Sequence, residues 1–318
     1  MTRINPILIC GVDRSGTTML GSILGRSPGA ICTPESNFLM HLCHSPDFDL
    51  ERIPARETLR KIEASERFRL LWLDKLPKLQ WPHRDDSTNY TTLIEELVLA
   101  YARASGRNNP TRWVDHPPSN ARRAESMIEL FPDARFVHIV RDPRAVVASL
   151  TRLPWGPSTP MTAANYWLQK IAAPLALETG PYKKRIIRTR YEDILASPAE
   201  ELAKLRAFLR LPPPSTQSDA ESYSVSEYQL AQHALVGRDP DPTRGKAWEQ
   251  QLTQREVEII EYCVADTLQV LGYAPRFGHS ARPPTRRERV IERATRLCRR
   301  FSDGVAQRNR VSRNMKRT

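Results

Sequence analysis

A loop containing two glycines directly follows the first apolar run of the chain. Ile7-Leu8-Ile9-Cys10 is typical of a buried strand, and the loop from Gly11 to Thr18 comes next, before an amphipathic stretch. We therefore predict a helix over residues 16–24. Backbone N–H groups at such a strand-to-helix turn converge on one point and bind an anion well. The loop thus predicts an α/β fold with an anion site at the carboxyl end of its first strand.

The same order of strand and helix recurs along the chain. Further strands are predicted over residues 112–114, 135–140 and 185–189. Further helices are predicted over residues 120–130, 143–151, 198–209 and 253–271. Strand runs without polar residues indicate a sheet that is covered on both faces. The predicted fold class is therefore α/β, a P-loop-like parallel sheet flanked by helices.

Two segments interrupt this order, and a third carries most of the charge. Residues 45–110 contain scattered Trp, Phe and Pro and a helical stretch over 93–104, which predicts a mostly helical insertion above the sheet. Residues 211–247 are rich in proline and predict loops. Residues 281–318 hold thirteen Arg and Lys against three acids, so they carry +10 of the net charge of +12. We predict a main domain over 1–280 and a basic C-terminal extension over 281–318.

The basic extension also shows a helical pattern. Val290, Ala294, Leu297 and Phe301 recur at helical spacing with arginines between them. This pattern is typical of attachment to an anionic membrane surface, or of docking on a partner or an acidic polymer. A helix that packs on its own domain is the alternative. Because the remaining residues are nearly neutral, a nucleic-acid partner is not expected for them.

Several classes of protein are disfavoured by what the sequence lacks. No run approaches the ~18 apolar residues of a membrane span, and no secretory signal precedes the first strand. The five cysteines contain no C-x-x-C pair, which disfavours a disulfide framework and a zinc site. We expect a cytoplasmic protein without a metal, attached to a membrane at most peripherally through the extension.

The glycine loop differs from a nucleotide P-loop at one decisive position. The spacing resembles G-x-x-x-x-G-K-[ST], but Thr17 stands where the lysine is required. A nucleoside triphosphatase needs that lysine and a carboxylate for Mg²⁺, and neither is evident. The loop keeps its anion donors, which we predict to be Arg14, Ser15, Gly16, Thr17 and Thr18. An ordinary glycine-containing turn is the alternative.

Four segments in the same order resemble sulfotransferases that use 3′-phosphoadenylyl sulfate (PAPS). They are Arg14 to Thr18 with Thr33-Pro34-Glu35-Ser36, the block from Phe131 to Ser149, Arg190-Tyr191-Glu192-Asp193-Ile194, and Arg244-Gly245-Lys246-Ala247-Trp248. The position of Glu35 resembles the branch that contains tyrosylprotein sulfotransferases and bacterial relatives. The resemblance implies transfer of a sulfuryl group from PAPS, without a metal, to a hydroxyl of a carbohydrate, lipid or other small molecule. The insertion at 45–110 would then lie on the acceptor side.

The resemblance also implies which residues bind PAPS. Arg14, Ser15, Gly16, Thr17 and Thr18 would hold the 5′-phosphate and the sulfate, and Arg141 and Ser149 the 3′-phosphate. Tyr191 would flank the adenine, with a packed aromatic as the alternative. Arg244, Gly245 and Lys246 would close over the nucleotide.

Three residues are implied in the chemistry. Glu35 would remove the proton of the acceptor hydroxyl, and Arg14 would donate to the bridging oxygen of the leaving group. His116 stands where relatives commonly carry a lysine that faces the sulfate. A solvated acid at 35 and a structural histidine at 116 are the alternatives. For Asp115 two roles stay open, orienting His116 or ending the strand.

Two other function classes compete with this interpretation. A nucleotide-dependent kinase with a divergent P-loop would need the missing lysine and metal carboxylate. A membrane-bound or nucleic-acid adaptor acting through residues 281–318 would leave the anion site in the nearly neutral part of the chain unexplained.

Overall fold

The computed structural model describes residues 3–39, 51–72, 87–153, 155–213 and 245–295. Their strands are β1 (Asn5–Gly11), β2 (Ala30–Cys32), β3 (Ile53–Pro54), β4 (Ser87–Thr88), β5 (Arg112–Asp115), β6 (Arg135–Val140) and β7 (Ile186–Arg190). Five of them form one parallel sheet in the order β2-β5-β1-β6-β7. The carboxyl ends of these strands therefore lie at one edge, the edge at which parallel sheets bind ligands. The predicted α/β fold is confirmed.

The central strand β1 explains how the sheet is covered. Ile7 and Ile9 belong to one hydrophobic cluster, whereas Leu8 and Cys10 belong to another. Successive side chains of a strand point to opposite faces, so the two clusters are the cores on the two sides of the sheet. Because all four residues are buried, the strand has no polar face.

The helices agree with most of the predicted ones. They are α1 (Thr17–Leu24), α2 (Ala55–Ala64), α3 (Glu66–Leu71), α4 (Tyr90–Ala104), α5 (Ala124–Leu130), α6 (Pro143–Leu150), α7 (Pro160–Thr179), α8 (Tyr191–Ala196), α9 (Pro198–Leu209) and α10 (Gln254–Val270). Residues 286–295 are also helical. The predicted helix over 120–130 is only partly correct, because residues Pro118–Arg123 form a 3₁₀ turn before α5.

The insertion is not purely helical in the part that the structure describes. It contains α2, α3 and α4, as predicted, and β3 pairs antiparallel with β4, which was not predicted. Phe68, Trp72 and Tyr101 of this segment lie in the same cluster as Leu8. Residues 45–50 and 73–86 lie outside the described residues. The insertion therefore packs into the core on one side of the sheet.

The chain divides into two compact units. The first comprises residues 1–141 and 171–242 and contains the parallel sheet. The second comprises residues 142–170 and 243–318 and contains α6, α10 and the helix over 286–295. The division into 1–280 and 281–318 stays a prediction. None of the helices in the described parts of the chain is long and apolar enough to cross a bilayer.

Candidate active site

The loop between β1 and α1 turns sharply enough to begin a helix within a few residues. Arg14 and Gly16 both adopt left-handed backbone conformations, with φ of 70° and 101°, and Ser15 N–H donates to the Val12 carbonyl at 3.0 Å. A Cβ on Gly16 would stand 2.8 Å from the ring of Tyr191. Glycine is therefore required at 16 for both backbone conformation and space.

The first turn of α1 presents donors and no acids. Thr17 and Thr18 are buried there, and no acidic residue lies in this turn. The first backbone N–H groups of a helix have no partner within the helix. The buried Ser15 Oγ also has no hydrogen-bond partner among the residues that the structure describes. These donors together fit a phosphate or sulfate group.

Two arginines meet at this loop. Arg141, directly after β6, donates from Nη1 to the Arg14 carbonyl at 3.0 Å, and its guanidinium lies 4.3 Å from the ring centroid of Tyr191. Burial, and then the nearby charge of Arg141, lower the pKa of Arg14. Because the two positive charges repel one another, an anion bound near both would relieve this repulsion.

Glu35 lies on a short segment after β2 that is tied to its neighbours. Thr33 N–H donates to the Val114 carbonyl at 3.2 Å, and the indole N–H of Trp113 donates to Thr33 Oγ1 at 2.8 Å. The indole N–H of Trp72, at the end of α3, donates to the Glu35 carbonyl at 3.2 Å. The sheet and the insertion thus fix the backbone at Glu35.

Asp115, the last residue of β5, completes this attachment. Its Oδ1 accepts from the Ser36 backbone N–H at 3.1 Å, and its Oδ2 accepts from the Ser36 hydroxyl at 2.6 Å. Burial raises the pKa of Asp115 to about 7, although the two bonds from Ser36 act in the opposite direction. Asp115 does end the strand, one of the two roles left open by the sequence, and its carboxylate also holds the residue that follows Glu35.

His116 and Glu35 are brought together. The side chain of His116 is fully buried, and its Nδ1 lies 3.9 Å from Glu35 Oε1. A Cβ on Gly21 would stand 3.0 Å from the imidazole, so the ring packs against α1. Burial raises the pKa of Glu35, and the amide of Asn37, which donates to Glu35 Oε2 at 2.9 Å, opposes this rise.

The second unit contains the other predicted nucleotide residues. Ser149 is half-buried in α6, Gly245 is buried, and Lys246 is exposed directly before a 3₁₀ turn over Ala247–Gln250. Arg244 lies outside the described residues. No group of three or more potential metal-ligating side chains occurs in the described ranges.

Sequence reasoning missed an ionic network in this unit. The buried Arg144 donates to both carboxylate oxygens of Asp142 and, at 2.7 Å, to Glu261. Its guanidinium also lies 4.3 Å from the ring centroid of Trp248, and Arg276 lies 5.2 Å from the same ring. The network therefore joins α6, which carries Ser149, to the turn that follows Lys246.

Comparisons with known proteins found relatives of this chain. Residues 6–215 match the family model described as "Sulfotransferase family". The nodulation protein NoeE of Sinorhizobium fredii is 24% identical over 309 residues, covering 87% of this chain and 69% of that protein. The protein-tyrosine sulfotransferase of Drosophila melanogaster is 24% identical over 280 residues, covering 85% of this chain and 52% of that protein, so the chain spans about half its length.

A solved structure shares the fold. The sulfotransferase domain from the olefin synthase of Synechococcus PCC 7002 superposes with a TM-score of 0.58 at 21% identity, covering 86% of this chain and 97% of that domain.

Proposed function

This chain belongs to the sulfotransferase family, and on that premise we propose that it transfers a sulfuryl group from PAPS to a hydroxyl of a carbohydrate, lipid or other small acceptor. The observation that carries the proposal is the pair Arg14 and Arg141 beside the first turn of α1. Two neighbouring arginines, a Ser15 hydroxyl with no hydrogen-bond partner among the described residues, and the helix N-terminus suit a ligand with several anionic groups.

The nucleotide would be held by donors that are already in place. When bound, PAPS supplies the activated sulfuryl group. Ser15, Gly16, Thr17 and Thr18 offer backbone and hydroxyl donors to its 5′-phosphate. Arg141, with Ser149, is assigned to the 3′-phosphate, and its stacking on Tyr191 holds the guanidinium in place. Arg244, Gly245 and Lys246 are assigned to the outer side of the nucleotide.

Three residues are assigned to removing the proton of the acceptor and stabilising the charge that develops in the reaction. Glu35 accepts the proton of the acceptor hydroxyl, and burial makes its carboxylate a stronger base than a solvated glutamate. Arg14 stabilises the negative charge that develops on the leaving oxygen. His116 is assigned to the sulfate, and its buried Nδ1, 3.9 Å from Glu35 Oε1, also places its ring beside that base.

Nucleotide binding tests the proposal without knowledge of the acceptor. Thermal shift and calorimetry would compare adenosine 3′,5′-bisphosphate, adenosine 5′-phosphate and ATP with Mg²⁺. We expect the bisphosphate to bind most tightly. Stronger stabilisation by ATP with Mg²⁺ would instead support the kinase alternative.

Arg141→Ala sharpens this test. Charge-assisted hydrogen bonds contribute roughly 1.5–3 kcal/mol, so the bisphosphate should bind about 10- to 150-fold more weakly and the monophosphate should change much less. Arg135, at the other end of β6, also stacks on an aromatic ring, that of Phe208. Arg135→Ala is therefore the matched control and should leave both affinities unchanged. Equal losses for the two nucleotides in Arg141→Ala would remove Arg141 from the 3′-phosphate.

A further inference from the structure

The helix over residues 286–295 attaches to the second unit through its acidic residues. Thr285 begins it with a capping pattern, because its N–H donates to Glu288 Oε2 at 2.6 Å and its Oγ1 accepts from Glu288 N–H at 3.2 Å. Glu288 also binds the Arg255 guanidinium at 2.8 and 2.9 Å. Glu292 accepts from the Thr162 hydroxyl at 3.2 Å. Both acids of this helix thus point toward the unit.

The opposite side of the same helix is basic and aliphatic. At about 100° per residue, seven exposed residues occupy one continuous arc. Arg289, at its edge, donates to the Pro284 carbonyl at 3.0 Å, and the other six form the outer face. This outer face consists of Arg286, Arg287, Val290, Ile291, Arg293 and Ala294. Val290 is 63% exposed and Ile291 51% exposed. The outer face therefore combines three positive charges with two large aliphatic side chains and contains no acid.

This arrangement reverses the usual pattern of a surface helix. Aliphatic residues normally face the core and charged residues face water. Here the acids make the internal contacts while Val290 and Ile291 are left to solvent. The sequence that follows adds charge of the same sign, because residues 296–318 hold eight Arg and Lys against one acid.

We propose that the outer face docks on an anionic lipid surface. Val290 and Ile291 enter the boundary between headgroups and acyl chains, and Arg286, Arg287 and Arg293 bind lipid phosphates and carboxylates. A nucleic acid or another acidic polymer would satisfy the arginines but offers nothing to two neighbouring aliphatic side chains, whereas the interface of a bilayer accommodates both. This docking is a property of the second unit and does not depend on the proposed sulfuryl transfer.

Vesicle binding by the full chain tests the proposal. Co-sedimentation would be measured with phosphatidylcholine vesicles, alone or mixed with phosphatidylserine, and with a ribonucleotide oligomer in parallel. We expect binding to the mixed vesicles only. This binding should weaken as the salt concentration rises above 0.15 M, where the screening length is ~8 Å, because added salt shortens that length further. Arg286→Gln with Arg287→Gln should weaken it about 25-fold, or about 1 kcal/mol for each basic residue near the surface.

The aliphatic pair distinguishes a bilayer from a polymer. Val290→Ser with Ile291→Ser leaves the charge unchanged and should weaken vesicle binding about tenfold or more. Val270→Ser is the matched control, because Val270 is 67% exposed at the end of α10, and it should bind as the unchanged chain does. Equal binding to neutral vesicles would overturn the proposal. So would vesicle binding that the serine pair leaves intact, or binding to the oligomer alone.

Discussion

The role proposed for Glu35 concerns the chemistry and not nucleotide binding, so replacing this residue should separate the two. Glu35→Gln keeps the shape and the hydrogen bond from Asn37 but cannot accept a proton. We expect kcat to fall about 10²–10⁴-fold while the affinity for adenosine 3′,5′-bisphosphate is retained. The rate at which the bisphosphate is released from PAPS in the presence of an acceptor measures kcat. Calorimetry measures the affinity for the bisphosphate. Near-normal kcat would show that another group takes the proton.

The pH dependence of kcat follows from the same carboxyl. As the proposed base, Glu35 would act only when deprotonated, and burial raises its pKa above the ~4.3 of an ordinary glutamate. Activity should therefore be lost as pH falls, beginning at a higher pH than a solvated glutamate would give. Glu95 in α4 is a useful control, because burial also raises the pKa of its carboxyl. Glu95→Gln should keep both kcat and this acid limb.

The raised pKa of Asp115 leads to a separate prediction about the stability of the folded chain. Its pKa is about 7 in the folded chain against ~3.9 when unfolded, so the folded state binds more protons between these values. Stability should therefore fall as pH rises from about 4 to 7. Asp115→Asn removes the buried charge and should be more stable than the unchanged chain above pH ~7, by a few kcal/mol at about 1.4 kcal/mol per pKa unit.

Thermal unfolding across pH checks this prediction. The advantage of Asp115→Asn should shrink as pH falls from about 7 and should vanish near 4. The exposed Asp133 provides the control, and Asp133→Asn should follow the unchanged chain. A constant difference between Asp115→Asn and the unchanged chain at all pH values would mean that Asp115 does not titrate in this range.

Among the elements, α6 and α10 depend on one buried guanidinium. Arg144→Ala would remove the positive charge that pairs with the buried carboxylates of Asp142 and Glu261, while Glu261 keeps its bonds from the backbone N–H groups of Arg276 and Phe277. Breaking a buried pair in this way costs about 3–5 kcal/mol, which urea unfolding would detect. Lys204 in α9 also bridges two acids, Glu200 and Glu201, but on the surface. Lys204→Ala should change stability little, and an equally small loss in Arg144→Ala would contradict the assigned role.

The elements themselves were largely predictable from local pattern. Apolar runs identified β1 and β6, and Thr253 with Glu256 forms the capping box that begins α10. The pairing of β3 with β4 was not predictable, since two residues on each side carry no periodic signal.

The contacts that hold the residues of the candidate site in place could not be predicted, for a different reason. Loop residues such as Arg14 and Thr17 follow a local motif, whereas Ser36 meets Asp115 across 79 residues and Arg144 meets Glu261 across 117. Contacts of this range depend on which strands and helices become neighbours. Asp115 ends β5, and β5 pairs with β2, the strand that precedes Glu35. This position is the one indication of the contact between Asp115 and Ser36.

For the whole molecule, the start of the basic extension is part of the second unit. Arg282 binds Glu258, and Glu288 binds Arg255, so both acidic partners are satisfied across the predicted boundary at residue 280. A chain shortened by residues 296–318 keeps these pairs and should unfold at the same temperature as the full chain. Removal of residues 281–318 should lower the unfolding temperature. Equal temperatures at pH 7 would make residues 281–295 dispensable for the fold.

The difference between the two shortened chains should depend on pH. The arginines lower the pKa of Glu258 and of Glu288 to about 2. The stabilisation is therefore complete above the ~4.3 of an unfolded glutamate and is lost as pH falls toward 2. Scans at pH 7, 4 and 3 should show the two unfolding temperatures converging. A gap that persists at the lowest pH would assign the stabilisation to packing.

The position of β1 has a consequence for how the molecule is made. Both neighbours of this strand, β5 and β6, are encoded more than a hundred residues later. At a synthesis rate of ~5–20 residues per second, a strand that is apolar from residue 6 onward waits about 5–20 s for its first partner. During that interval its hydrogen-bonding edges can pair with another chain. Expression yield should therefore depend on translation speed and on chaperones that shield nascent chains, more than the stability of the finished sheet would suggest.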